Sequence, residues 1–264
     1  GVTFTITKKV MPRYIEPFGL ILMRVGGPML FFFLIPPVLK KKKIEKADFP
    51  RIIAAAFFGV ALNMLTFFKG LSYTSPIMGA VLMVTTPMIV LVLSAILMKE
   101  RMQNRKIYGL ILGLIGTIFL IIYGKSVINA SNATLGNILV FINAVSYGFY
   151  LIIVKKLMDK YNAFAFVKWI YTFGFIMVLP FGWNEYQAIE WASIPVDILY
   201  KIGFVVVFST FLTYLLNLLS MRELKPTTVA VFIYLQPLFA TLFAVGLGKD
   251  ELTWIKIISA LLIF

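Results

Sequence analysis

A chain of 264 residues that is 61% hydrophobic, only 14% charged and has a mean hydropathy of +0.94 is built for a bilayer, since soluble domains run about 45–50% apolar and about 25% charged. Its formal charge of +14 comes from Lys and Arg gathered between apolar blocks, where they orient helices and meet anionic headgroups, so nucleic acid is not the expected partner. The sequence holds neither Cys nor His, which excludes disulfides, thiolate and imidazole catalysis and the usual zinc or haem ligands; no cofactor or metal is expected.

In chain order, the apolar blocks predict ten membrane helices over residues 1–10, 17–38, 51–71, 76–98, 104–123, 135–157, 163–182, 198–220, 226–247 and 252–264. A helix needs about 20 residues to cross about 30 Å of hydrocarbon, so the first and last read as truncated. Strand alternation is absent, which excludes a barrel. The basic connections KKKKIEK (40–46), KERMQNRK (99–106), KKLMDK (155–160) and MRELK (221–225) are all even-numbered and are expected to face the cytoplasm. GWNEYQAIEWASIPVD (182–197) carries three acids and no Lys or Arg, as an outer loop would, and its Trp and Tyr residues suit the interfacial belt. KKVMPR (8–13) is the one exception to this scheme, which places both termini in the cytoplasm of what is expected to be a bacterial inner membrane. Asn129 and Asn132 open N-x-S/T triplets, read as chance occurrences.

The chain repeats itself. An offset of 150 lays Pro76 on Pro226, Pro87 on Pro237, Lys99-Glu100 on Lys249-Asp250 and Lys106 on Lys256; upstream, an offset of 147 lays Lys8-Lys9 on Lys155-Lys156 and Tyr14 on Tyr161. The expected organisation is two five-helix units, 1–124 and 135–264. An odd number of spans turns the second unit over, giving an inverted repeat around a central cavity, with the solute site near the midplane. Gly1 falls on Gly148, so the first span is expected to lack about a dozen residues of its counterpart.

Within FIYLQPLFATLF (232–243), Pro237 interrupts an apolar helix, and Pro87 is its twin. Each proline should leave a carbonyl one turn earlier, on Ile233 and Met83, without its partner and kink the helix. A paired kink beside polar neighbours reads as a hinge or gate; helix shaping alone is the rival reading. The polar residues at membrane depth are Asn63, Thr86, Asn143, Tyr147, Tyr150, Tyr214, Asn217 and Gln236, expected to line a wet lumen. The competing role is interhelical adhesion, worth about 0.6 kcal/mol per contact. Arg24 and Lys168 lie close enough to helix ends to snorkel; anion binding is the alternative. No membrane-embedded Asp or Glu suggests a proton relay, and Glu185, Glu190 and Asp197 lack the partners of an enzyme site. The G-x-x-x-G of Gly109 and Gly113 reads as close helix packing.

GLSYTSPIMGAVLMVTTPMIVLVLSAILMKERM (70–102) and MRELKPTTVAVFIYLQPLFATLFAVGLGKDEL (221–252) resemble the EamA-type repeat of the drug/metabolite transporter superfamily. Each has a helix-end "AL-x-y-t-s"-like stretch, then a mid-helix Pro and a closing acid, here Glu100 and either Asp250 or Glu251. LVFINAVSYGFYLIIVKKL (139–157) is similar to the family's sixth helix with Tyr147 where Trp is usual, and LILMRV (20–25) places the family Arg at Arg24; the second copy has Tyr171 there. The resemblance implies a ten-helix basket and a secondary transporter, an exporter by preference, of small metabolites, amino acids or drugs. An exchanger of phosphorylated or nucleotide-linked metabolites is the nearest alternative, and a non-transporting receptor or scaffold follows it. The expected partners are a small-molecule solute and the lipid bilayer, with monomer and homodimer both open.

Overall fold

The computed structural model describes residues 10–11, 13–34, 43–74, 79, 82–100, 103–122, 132–246 and 253–263. Residues 1–9 of the first predicted span, the Asn129 triplet, Pro76 and the second closing acids, Asp250 and Glu251, fall outside them. Among the described residues the regular structure is entirely helical, as a hydrocarbon solvent requires of a chain that must satisfy its own backbone.

Helix α1 is Pro17–Leu34. A turn at Lys46–Asp48 leads into α2 (Phe49–Ala56), which runs through a widened, π-helical stretch, Phe57–Ala61, into α3 (Leu62–Tyr73). Then come α4 (Thr86–Met98), α5 (Asn104–Ile122), α6 (Ala133–Met158) and α7 (Ala163–Gln187). Helix α8 (Val196–Phe204) passes through a second widened stretch, Val205–Leu212, into α9 (Thr213–Glu223). The chain continues with α10 (Pro226–Val231), a 3-10 turn at Phe232–Tyr234, α11 (Leu235–Gly246) and α12 (Trp254–Ile263). Among the described residues five rods are long and apolar enough to cross a membrane: Pro17–Leu34, Lys46–Tyr73, Thr134–Met158, Ala163–Gln187 and Val196–Glu223.

Local chemistry fixes the rod ends. Asn132 accepts from the Leu135 amide at 3.3 Å and Asn162 from the Phe164 amide at 3.1 Å, so each caps the helix that follows it. The cap on α1 comes from another helix: Glu185 on α7 accepts from the Phe18 and Gly19 amides at 2.6 and 2.9 Å, a carboxylate placed against the positive end of the helix dipole. Helix α4 stops where Lys99 enters the left-handed region at φ 54°.

Helices α1 and α7 pack antiparallel. Gly19 lies against Glu185, Gly26 against Phe175 and the Phe32 ring against Tyr171 at 5.5 Å. A methyl on Gly182 would come within 2.6 Å of the Phe18 carbonyl oxygen, so the two backbones touch there and only glycine fits. The core between these helices, α2, α3, α6 and α9 holds Ile21, Val25, Val60, Leu151, Phe166 and Ile170, all essentially inaccessible. Large apolar side chains face outward, Ile96 at 68% and Leu261 at 73% exposure among them, which suits a surface wetted by lipid.

Both prolines sit in the first turn of a helix that has just restarted. Ahead of α4 the chain turns at Val84–Thr85, and Pro87 lies in the first turn of α4; ahead of α11 it passes through the Phe232–Tyr234 3-10 turn, and Pro237 is the third residue of α11. A first-turn N–H has no intrahelical partner, so proline removes nothing there. The expectation that the upstream carbonyls go unpartnered is corrected on both sides: the Thr86 hydroxyl donates to the Met83 carbonyl at 2.6 Å, and the Ile233 carbonyl takes the Leu235 amide.

Candidate functional site

The two widened stretches occupy the middle of their rods. Gly59 lies thirteen residues beyond Lys46 and fourteen short of Tyr73; Thr210 lies fourteen beyond Val196 and thirteen short of Glu223. An offset of 150 carries Phe57–Ala61 into Val205–Leu212, so the same irregularity stands at the equivalent depth in both halves of the sequence. A π-helical turn shifts the carbonyl ladder and leaves some oxygens for other donors, and such turns gather at functional sites.

Side chains from other helices supply those donors. The Ser146 hydroxyl on α6 donates to the Phe58 carbonyl at 2.6 Å, and the Tyr214 hydroxyl on α9 donates to the Gly59 carbonyl at 3.1 Å. In the other stretch, Thr210 donates to its own Val205 carbonyl and accepts from the Nε of Arg24 at 3.0 Å. Nearby, Asn143 donates to the Asn63 carbonyl at 2.8 Å and Asn63 returns a longer bond to the Asn143 carbonyl at 3.4 Å.

Arg24 does not snorkel. Gly27 of α1 lies against Val206, and Thr210 is one turn beyond Val206, so the Arg24 side chain runs inward along α1 to reach it. Its guanidinium therefore lies inside the bundle, with Nε on Thr210 at the middle of that rod and Cζ 5.1 Å from the centre of the Phe68 ring, which belongs to the outer half of α3. On insertion scales an Arg at that depth costs about 2.5–3.5 kcal/mol. Among the described residues no carboxylate meets it, and its contacts are Thr210 and Phe68, with the Tyr171 and Tyr214 phenols within electrostatic range.

Four tyrosines form a chain of rings around this point: Tyr147 to Tyr150 at 6.0 Å, Tyr150 to Tyr214 at 6.2 Å and Tyr214 to Tyr171 at 5.7 Å. The Tyr171 hydroxyl and the Asn143 Oδ1 are buried without a hydrogen-bond partner. At this depth an unpaired polar atom is costly; Ser94 Oγ and Thr117 Oγ1 are buried without a partner as well.

The other predicted residues lie elsewhere. Thr86 is fully buried against its own chain, Asn217 is half-buried on α9, and Gln236 is exposed on the face it shares with Phe232 and Phe239. Lys168 stands over the Phe33 and Trp169 rings at 5.5 and 5.4 Å. Gly113 receives the Tyr234 ring, whereas a methyl on Gly109 would meet nothing within 4 Å, so only one glycine of that spacing is a packing residue. Gly109 instead lines an open pocket of about 510 Å³ with Lys106, Thr227 and Leu262. Sequence reading passed over Thr210, Gly59 and Phe68 and treated Tyr171 only as the position equivalent to Arg24; that equivalence was the signal available.

At one end of the molecule Asp48 accepts from Lys160 Nζ and from the Tyr161 hydroxyl, both at 2.6 Å, and Lys160 also reaches Glu45 at 2.7 Å. The rod Lys46–Tyr73 is about 42 Å long at 1.5 Å per residue, longer than the about 30 Å of hydrocarbon. This cluster therefore stands at headgroup level, outside the spanning segment. There the hydrogen bonds from Lys160 and then Tyr161 hold the Asp48 carboxyl below its ordinary value, and the bonds to Asp48 and Glu45 raise the Lys160 ammonium above its own.

Among the described residues no three of His, Cys, Asp and Glu are grouped so as to hold a metal ion. Glu185 is occupied with the α1 amides and Asp197 pairs with Lys201 at 2.6 Å. An all-helical membrane protein with a polar, aromatic centre at mid-depth is the architecture of a solute carrier. The chain belongs to the EamA-like transporter family, part of the drug/metabolite transporter superfamily, whose model matches residues 1–122 and 134–264. It is 22% identical to the uncharacterized transporter YyaM of Bacillus subtilis over 100% of this chain and 87% of that one. It is 26% identical to an uncharacterized transporter of Archaeoglobus fulgidus over 96% and 87%. A solved crystal structure shares the fold with a TM-score of 0.75, covering 98% of this chain and 88% of that one at 15% identity.

Proposed function

We propose that this membrane transporter exports a small metabolite, amino acid or drug by alternating access, its two halves rocking about the mid-depth cluster. The observation that carries this reading is the pair of widened stretches, Phe57–Ala61 and Val205–Leu212, at matching depth and tied to the surrounding helices by Tyr214 and Arg24. Helices interrupted at mid-depth are tolerated where they border a solute path.

Two five-helix units, 1–124 and 135–264, related by inversion suit this motion. The antiparallel packing of α1 and α7, which occupy equivalent positions in the two sequence copies, supports the inversion. Pro87 and Pro237 serve as hinges, because each marks a point where one helix stops and another starts. Asn63, Asn143, Tyr147, Tyr150 and Tyr214 surround the solute path, while Thr86, Asn217 and Gln236 border it only in another state of the cycle. The protein lies in a bacterial inner membrane with both termini cytoplasmic.

An exchanger of phosphorylated metabolites would need Arg24 and Lys168 to clamp one phosphate. Lys168 stands over the Phe33 and Trp169 rings, and among the described residues no hydrogen bond or ion pair joins it to the Arg24–Thr210 contact, which disfavours that reading. Purified protein in proteoliposomes, assayed for counterflow of neutral amino acids and of sugar phosphates, tests the choice. Saturable flux of the former supports the proposal; flux of the latter alone, lost in Lys168→Ala, supports the exchanger.

A further inference from the structure

We infer that Arg24 and Tyr171 form a carboxylate-binding subsite at the middle of the membrane, so that the solute carries a carboxylate; this rests on the transporter reading above. The repeat places Arg24 and Tyr171 at equivalent positions on α1 and α7; Arg24 reaches Thr210, whose neighbour Phe211 packs on Phe32 at 4.7 Å, and Phe32 packs on Tyr171 at 5.5 Å, so the guanidinium is brought toward the Tyr171 ring. One position supplies a fixed positive charge and the other a hydroxyl.

Each group lacks what a carboxylate offers. Thr210 engages the Arg24 Nε, and among the described residues the two terminal amino groups have no hydrogen-bond partner; Arg24 is only half-buried, so part of it stays accessible. The nearby Tyr214 hydroxyl is committed to the Gly59 carbonyl. The Tyr171 hydroxyl is fully buried and has no hydrogen-bond partner among the described residues. A guanidinium presents paired N–H groups matched to the two oxygens of a carboxylate, and a phenol can add a third bond to the same group.

Arg24 is the cation that meets Thr210, and a monoanion matches its one charge. Lys168, one turn from Tyr171 on α7, is turned to the Phe33 and Trp169 rings at 5.5 and 5.4 Å. Phe32 against Tyr171 and Phe68 against Arg24 give the subsite flat apolar walls, so a planar carboxylate is an apt probe.

The test uses the full chain in detergent with benzoate, its uncharged isostere benzamide and inorganic phosphate as probes, read by thermal shift. Benzoate alone should stabilise the protein, with apparent affinity weakened about tenfold or more in Arg24→Gln, which loses a charged hydrogen-bond partner, and about three- to tenfold in Tyr171→Phe. Thr210→Val separates binding from a merely structural tie, because it removes the Arg24 anchor and leaves the anion site: benzoate stabilisation should survive in it. Equal shifts from benzoate and benzamide, a benzoate shift unchanged in Arg24→Gln, a shift from phosphate only, or no shift from any probe would each overturn the inference. Counterflow of labelled benzoate in proteoliposomes then isolates the underlying reading: binding without flux overturns transport and leaves the subsite standing, whereas flux of benzamide matching that of benzoate does the reverse.

Discussion

The Tyr214 hydroxyl donates to the Gly59 carbonyl across 3.1 Å, so the centre of the rod Lys46–Tyr73 is held by the rod that contains its equivalent, Val196–Glu223. Tyr214→Phe deletes one hydrogen bond and leaves the ring contacts to Tyr150 and Tyr171 in place. The loss should be about 0.5–1.5 kcal/mol, a fall in Tm of about 2–4 °C per kcal/mol for a chain of this size. If the tie also limits the rocking of the halves, counterflow should change by more than stability does. A variant with unaltered Tm and unaltered flux would show that the bond is idle.

Gly59 is where that rod can least accept a side chain. A methyl there would lie 2.1 Å from Tyr150 Cδ2 and 2.6 Å from Cε2, atoms of a rigid ring on a fully packed helix. Gly59→Ala should therefore destabilise by about 1–3 kcal/mol through overpacking. Adding Tyr150→Leu clears the ring, so the double variant should lose clearly less than the two single changes together, the sign of direct coupling. Additive losses in a thermal melt would refute this packing account.

How much of this was legible beforehand depends on what each residue needed to know. The rods were readable because lipid imposes one rule, about 20 apolar residues in a self-satisfied helix, and 17–38, 51–71, 135–157, 163–182 and 198–220 each hold one. Pro87 and Pro237 were readable as breaks, though not as first-turn residues of restarted helices. The widened stretches were invisible: FFGVA has no polar side chain and VVVFSTFL only Ser209 and Thr210 in an apolar run, and whether the first helix relaxes there depends on donors brought from far along the chain by Ser146 and Tyr214. Asn63 and Asn143 announced themselves as polar groups at depth, but not that each would bond the other's backbone. The inward course of Arg24 was equally hidden, because it follows from Gly27 letting Val206 approach α1 and bring Thr210 within reach.

Thr86 carries a separate prediction. Its hydroxyl bonds the Met83 carbonyl at 2.6 Å, just ahead of Pro87, and the side chain is fully buried. Thr86→Val keeps the shape and removes the donor, leaving the Met83 carbonyl without the Thr86 bond at a cost of about 1–3 kcal/mol. Thr86→Ser retains the donor and should lose less. The order of melting temperatures, wild type above Ser above Val, is the expected outcome; Val equal to wild type would mean the break needs no cap.

The headgroup-level cluster gives a pH dependence of fixed sign. Asp48 is held below its ordinary value by Lys160 and Tyr161, so it favours the folded state while ionised. That contribution is complete above the unfolded carboxyl value of about 4 and fades as pH falls through the lower folded value. Lys160 is raised by Asp48 and Glu45, so its contribution is complete below an unfolded value of about 10.4 and fades as pH climbs through the higher folded one. Melting temperature in detergent should thus show a plateau between those limits and fall on both sides. Asp48→Asn removes the charge that Lys160 answers, so it should lower the plateau and shrink both limbs together. If Asp48→Asn lowered the plateau but left the alkaline limb at full height, Lys160 would be drawing its stabilisation from Glu45 alone, and the link from the Lys46–Asp48 turn to the bend before α7 would be weaker than its 2.6 Å contacts imply.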